Sequence, residues 1–182
     1  MMEQIADASP RLKARIAGVF WLLTILTGAF AAFFSRRLGV YFITVNLIGD
    51  VCFAVVTLLL YVIFNAVNRN LSLLAAFFGL AGCAQAVLRL FHLASTHHQL
   101  LVFFGFHCLL LGYLILKSTF LPRILGALMA IAGLGWLSFL SPPLAKALSP
   151  YVLLAGIIGE GSLTLWLVIF GVNAERWKEL RS

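Results

Sequence analysis

Charge is what this sequence has least of. Only 10% of its 182 residues are Asp, Glu, Lys or Arg; a soluble domain of this length carries about a quarter. The scarcity is also uneven. Between Arg37 and Arg69 the sole formal charge is Asp50, and between Arg123 and Lys146 there is none. Cysteine is scarce too. Cys52, Cys83 and Cys108 all fall in apolar stretches without metal-ligand spacing and read as small core hydrophobes. H-E-x-x-H, a Walker loop, G-x-S-x-G and the dinucleotide fingerprint are all absent, which sets aside the chemistries those motifs carry. Gly79-Leu80-Ala81-Gly82 is a patch of small packing residues. No metal site and no cofactor is expected. His92 and His107 could face a haem from two helices, but the charges around them make a poor home for it.

What fills the chain instead is apolar: 63% of residues, with a mean hydropathy of +1.06. The hydrocarbon core of a bilayer is about 30 Å thick and a helix rises 1.5 Å per residue, so apolar runs of about 18 residues or more read as spans. Lipid cannot satisfy open backbone N–H and C=O groups, so the spans must be helical. The chain is therefore expected to be all-α, a polytopic bundle of six transmembrane helices forming a single integral membrane domain over 1–182. The spans are placed at about 16–34, 40–64, 72–93, 100–117, 122–140 and 150–172. Pro122 and Pro150 are placed at the starts of the fifth and sixth, with Ser149 as an N-cap. Residues 1–31 also resemble a signal peptide ending in Ala29-Phe30-Ala31. The apolar run continues through Phe34, however, and Thr24, Thr27, Gly28 and Ala31 share a packable face, which favours a retained span.

The net charge of +7 arises from basic residues at the edges of apolar segments, where they meet anionic headgroups. The partner so implied is the lipid bilayer, and nucleic acid is not expected. A homo-oligomer is compatible with the sequence. Arg11, Lys13, Arg15, Arg69, Lys117, Arg123, Arg176, Lys178 and Arg181 fall on one side, and Arg36, Arg37 and Lys146 on the other. By the positive-inside rule both termini are cytoplasmic.

Ionisable groups inside spans are costly and point to function. Asn46, Asp50, Thr57 and Tyr61 form one stripe on the second helix. Gln85, Arg89 and His92 form another on the third, the fourth contributes His107, and the sixth contributes Glu160 with Thr164 one turn on. By helix rise the ionisable members all lie in the outer half of the bundle, Asp50 and Glu160 about 15 Å below its surface. A shared polar site is expected from Asp50, Gln85, Arg89, His92, His107 and Glu160, with Asn46 and Thr164 in support. The competing reading is helix glue: Asp50 paired with Arg89, and Glu160 with His107, each contact worth about 0.6 kcal/mol. His97-His98 reads as a solvated loop, and the tail from Arg176 to Arg181 as an interfacial anchor.

Local motifs resemble an uncharacterised bacterial membrane family, domain of unknown function 4386. They are Ala14-Arg15-Ile16-Ala17-Gly18, Gly49-Asp50-Val51 with Tyr61, and Gly105-Phe106-His107-Cys108-Leu109-Leu110-Leu111-Gly112-Tyr113. Phe120-Leu121-Pro122-Arg123-Ile124-Leu125-Gly126 and Gly159-Glu160 with Leu165-Trp166 complete the set. The resemblance implies a multi-pass bacterial inner-membrane protein and supplies no activity. Three functions stay open: binding or moving a small solute or lipid in an outer-half pocket; an intramembrane enzyme acting on a lipid or isoprenoid through carboxylate acid/base chemistry; and an accessory or structural membrane protein.

Overall fold

The computed structural model describes residues 9–39, 41–91, 93 and 97–181. Six long helices follow one another: α1 (Pro10–Leu38), α2 (Tyr41–Phe64), α3 (Arg69–Leu90), α4 (His97–Lys117), α5 (Arg123–Leu137) and α6 (Pro142–Ile169). A 3-10 turn, Ser138–Leu140, extends α5, and a short polar helix α7 (Ala174–Arg181) ends the chain. There is no strand among the described residues. Six stretches within these helices are long and apolar enough to cross a membrane. The protein is an all-α, multi-pass membrane protein.

Each long helix packs on the next, and α6 returns to α1, so the six close into a ring. Small residues permit the tightest contacts. A Cβ on Gly112 would come within 2.7 Å of the Ala130 backbone, and one on Gly133 within 2.7 Å of the Leu109 backbone, which draws α4 and α5 together. Gly159 lies equally close to Leu128 on α5. In lipid, such close approach is a main source of helix association.

Several boundaries differ from the sequence expectation. The sixth helix starts at Pro142 and runs through Pro150. Ser141-Pro142-Pro143 therefore opens α6 and does not merely close the fifth helix: proline at the first turn loses no intrahelical bond. Pro150, by contrast, leaves the Lys146 carbonyl without its i+4 donor. His97 and His98 belong to the first turn of α4, not to a loop. The first helix begins earlier than expected, where the Ser9 hydroxyl accepts from the Leu12 N–H.

The half of the bundle that carries the described ends of the chain is solidly packed. Leu60, Ile63, Phe64, Leu114 and Met129 are fully buried there with Leu163 and Leu167. Its rim is tied by cationic and indole donors. Arg15 Nη2 donates to the Ile169 carbonyl at 2.8 Å and Arg11 Nε to Phe170 at 3.2 Å, where the α6 carbonyls have no helical partner. Gly171, at φ 69°, turns the chain there. Trp177 of α7 is buried and donates Nε1–H to the Ile63 carbonyl at 2.8 Å. The basic tail is thus docked into the end of the bundle.

Candidate functional site

The opposite half of the ring holds a cavity of about 560 Å³, bordered by α1, α2, α3, α4 and α6. Small-molecule sites commonly measure about 300–1,000 Å³. Most of its wall is apolar. Asp50 of α2 and Glu160 of α6 both line it. Asp50 lies nine residues after Tyr41, where α2 begins, and Glu160 eighteen residues after Pro142, where α6 begins.

Their surroundings differ. Glu160 Oε1 accepts the Trp136 Nε1–H at 2.9 Å. The Asp50 carboxylate receives no hydrogen bond among the described residues, and the Arg89 guanidinium is the charge acting on it. The Asp50 backbone carbonyl accepts a long contact, 3.7 Å, from the Cys83 thiol. Beneath the carboxylates lies an aromatic floor. Trp21 meets Phe53 edge-on at 6.4 Å, and Phe53 meets Phe104 at 5.3 Å between centroids, all three on the cavity wall.

His107 lies under this floor. It is buried, edge-on to Phe53 at 5.4 Å, with Nδ1 2.8 Å from the Ala75 carbonyl of α3. A carbonyl can only accept, so Nδ1 carries the proton and Nε2 presents its lone pair. Gly79 makes room for this: a Cβ there would stand 2.9 Å from Nδ1 and 2.8 Å from the Thr57 hydroxyl. Thr57 Oγ1, His107 Nε2 and Thr164 Oγ1 are buried with no hydrogen-bond partner among the described residues. Each sits one turn below a cavity-lining residue of its own helix, namely Phe53, Phe104 and Glu160. They form a polar layer between cavity and core.

Of the residues expected to form one site, the cavity surface thus collects Asp50 and Glu160. Gln85, Arg89, His107 and Thr164 are on the same or adjoining levels but do not line it. Asn46 donates to the Phe42 carbonyl of its own helix at 2.8 Å. His92 lies outside the described residues. The carboxylate pairings expected of helix glue divide: Arg89 acts on Asp50, while Glu160 is held by Trp136 and not by His107. Trp136 and the aromatic floor were not expected at a site. A buried indole N–H needs an acceptor, but sequence spacing does not say which one.

Residues 84–171, from α3 to the end of α6, match the family described as Domain of unknown function (DUF4386). An uncharacterized protein of the archaeon Archaeoglobus fulgidus is 34% identical over 125 residues, covering 64% of this chain and 75% of that protein. The chain belongs to the DUF4386 family. The stretch matching DUF4386 takes in Gln85, Arg89, His107 and Glu160, whereas Asp50 lies ahead of it. No solved structure matches the chain.

Proposed function

We propose that this DUF4386 protein is a membrane-embedded binding protein whose cavity holds the polar end of a small solute or lipid between Asp50 and Glu160. One observation carries the reading: helices far apart in sequence bring two carboxylates onto the surface of one otherwise apolar cavity. A carboxylate in a span costs a few kcal/mol wherever it faces lipid, and pure helix glue needs no cavity. The basic-residue bias sets the termini in the cytoplasm and the cavity in the outer half of a bacterial or archaeal plasma membrane. Between the cavity and the termini lies the packed apolar core, a layout that supports binding over passage across the bilayer.

The second reading, an intramembrane enzyme, has its own support in the unlike settings of the two carboxylates. One is held by an indole N–H and the other is not, and such asymmetry is how a pair divides acid and base roles.

The test uses purified protein and a total lipid extract from a prokaryotic membrane. The extract should raise the Tm of the wild type and leave the double variant Asp50→Asn with Glu160→Gln unshifted. Equal stabilisation of both proteins would remove the carboxylates from the site.

A further inference from the structure

The cavity has a mouth, and the mouth faces the bilayer. Its lining residues on α2, α3 and α4 are buried or half-buried, while every exposed lining residue belongs to α1 or α6. These are Gly28, Ala29, Ala32 and Phe33 on α1, and Leu153 and Ile157 on α6. All six lack polar side-chain atoms, and Phe33 and Ile157 are 86% and 62% exposed. The same two helices are tightly joined at the other end, where a Cβ on Gly18 would stand 2.7 Å from the Val168 backbone. At the mouth, by contrast, a Cβ on Gly28 meets nothing within 4 Å. In a membrane the exposed apolar flanks of α1 and α6 face lipid chains, not water.

The chemistry inside selects a head of one sign. Two carboxylates lie on the cavity surface, and the guanidinium acting on Asp50, that of Arg89, is not among the described residues that line it. The floor adds the aromatic rings of Trp21, Phe53 and Phe104, a residue type whose faces attract cations. A carboxylate bonded to an ionised donor makes a short, strong contact, roughly twice a neutral one. An apolar mouth open to lipid, leading to acidic groups over an aromatic floor, fits a molecule with a hydrocarbon chain and a positive end.

Building on the proposed binding role, we infer that the occupant is a lipid with an ammonium headgroup, admitted sideways from the bilayer between α1 and α6. Its head rests between Asp50 and Glu160, and its chain lies in the mouth along Gly28, Ala32 and Ile157. No bond forms or breaks; the step is one of partition and ion pairing.

Head and chain can be varied independently with simple probes. Native mass spectrometry of the intact protein would count bound dodecylamine, dodecyltrimethylammonium, dodecyl phosphate and dodecanol, each below its micelle concentration, with ethylammonium as a head without a chain. Both cationic amphiphiles should bind at least ten-fold more tightly than the phosphate or the alcohol, and ethylammonium not measurably. The preference should vanish in Asp50→Asn with Glu160→Gln. Gly28→Phe, which fills the mouth, should weaken the amphiphiles at least ten-fold, while Gly161→Phe, at another open position on α6, should not. Preference for the phosphate or the alcohol overturns the ammonium assignment. Tight carboxylate-dependent binding of ethylammonium, or full binding by Gly28→Phe, overturns sideways admission while sparing the binding role. Binding of every probe without regard to the carboxylates overturns both.

Discussion

Trp136 and Glu160 join α5 to α6 through a hydrogen bond, with Nε1 donating to Oε1 at 2.9 Å. Gly156, one turn before Glu160, lets the indole lie against the α6 backbone, for a Cβ there would stand 2.7 Å from the ring. Trp136→Phe removes the donor but keeps an aromatic ring beside Phe104, now 5.9 Å away. The expected cost is about 0.6 kcal/mol, the average for a hydrogen bond between helices in a membrane, and at most about 1.7 kcal/mol. Gly156→Ala should cost at least as much, by pushing the indole off its acceptor. In a double-mutant cycle by thermal unfolding, Trp136→Phe should add nothing to Glu160→Leu. Full additivity would mean that the bond contributes nothing to stability.

The α4–α5 seam makes a sharper claim about glycine. Gly112→Ala sets a methyl within 2.8 Å of backbone atoms on α5, which cannot swing aside. Overpacking of this kind costs about 1–3 kcal/mol. Gly161→Ala faces open space, so replacing a flexible helix residue should stabilise by a fraction of about 1 kcal/mol. The two alanine variants should therefore move Tm in opposite directions. Equal shifts would refute the close approach of α4 and α5.

Docking of α7 rests on Trp177, buried in the core cluster and bonded to the last turn of α2. Trp177→Ala should cost about 3–5 kcal/mol, as for other buried tryptophans. Protease should then cut near 173–174 in the variant while sparing the wild type. Unchanged protease resistance would show that the tail is held by other contacts.

Much of this was legible from residue spacing, and the illegible part has physical causes. Apolar runs bounded by charges placed the six spans, because water and lipid sort those residues whatever the packing. Asp50 and Glu160 stood out as site candidates, since a carboxylate in an apolar span is costly unless it faces inward. Rotation about each helix axis and the order of the ring were not readable. Those decide that Arg89 and His107 stay off the cavity surface while Phe53, Phe104 and Trp21 form part of it. Pro150 was misread as a helix start because proline serves equally at a first turn and inside a span, where neighbouring helices offset the lost bond.

The orientation of the bundle is set by lysine and arginine. Nine basic residues on the side of the termini against three on the other should hold Ser182 in the cytoplasm. Reporter fusions at Ser182 and within the α3–α4 connection, residues 91–96, should report opposite compartments. The same compartment for both would invert or break the six-span order.

The polar layer beneath the cavity yields a prediction whose sign runs against the usual effect of core substitutions. Thr164 is buried at one turn below Glu160, and its hydroxyl has no partner among the described residues. Ser72 is equally buried, but its hydroxyl donates to the Tyr61 carbonyl of α2 at 2.9 Å. Removing a bonded hydroxyl forfeits a contact between helices, worth about 0.6 kcal/mol on average in a membrane. Removing an unbonded one lifts a desolvation cost of about 1–3 kcal/mol. Valine nearly matches threonine in shape, so Thr164→Val leaves little cavity to offset the gain. Ser72→Ala should therefore lower Tm, and Thr164→Val should hold or raise it, with Thr57→Val following Thr164→Val. His107→Phe should lower it, because the bond to Ala75 that fixes the ring is lost. If Thr164→Val lowers Tm as far as Ser72→Ala does, the hydroxyl has a partner in the membrane, and the layer is a bonded network in place of a strained one.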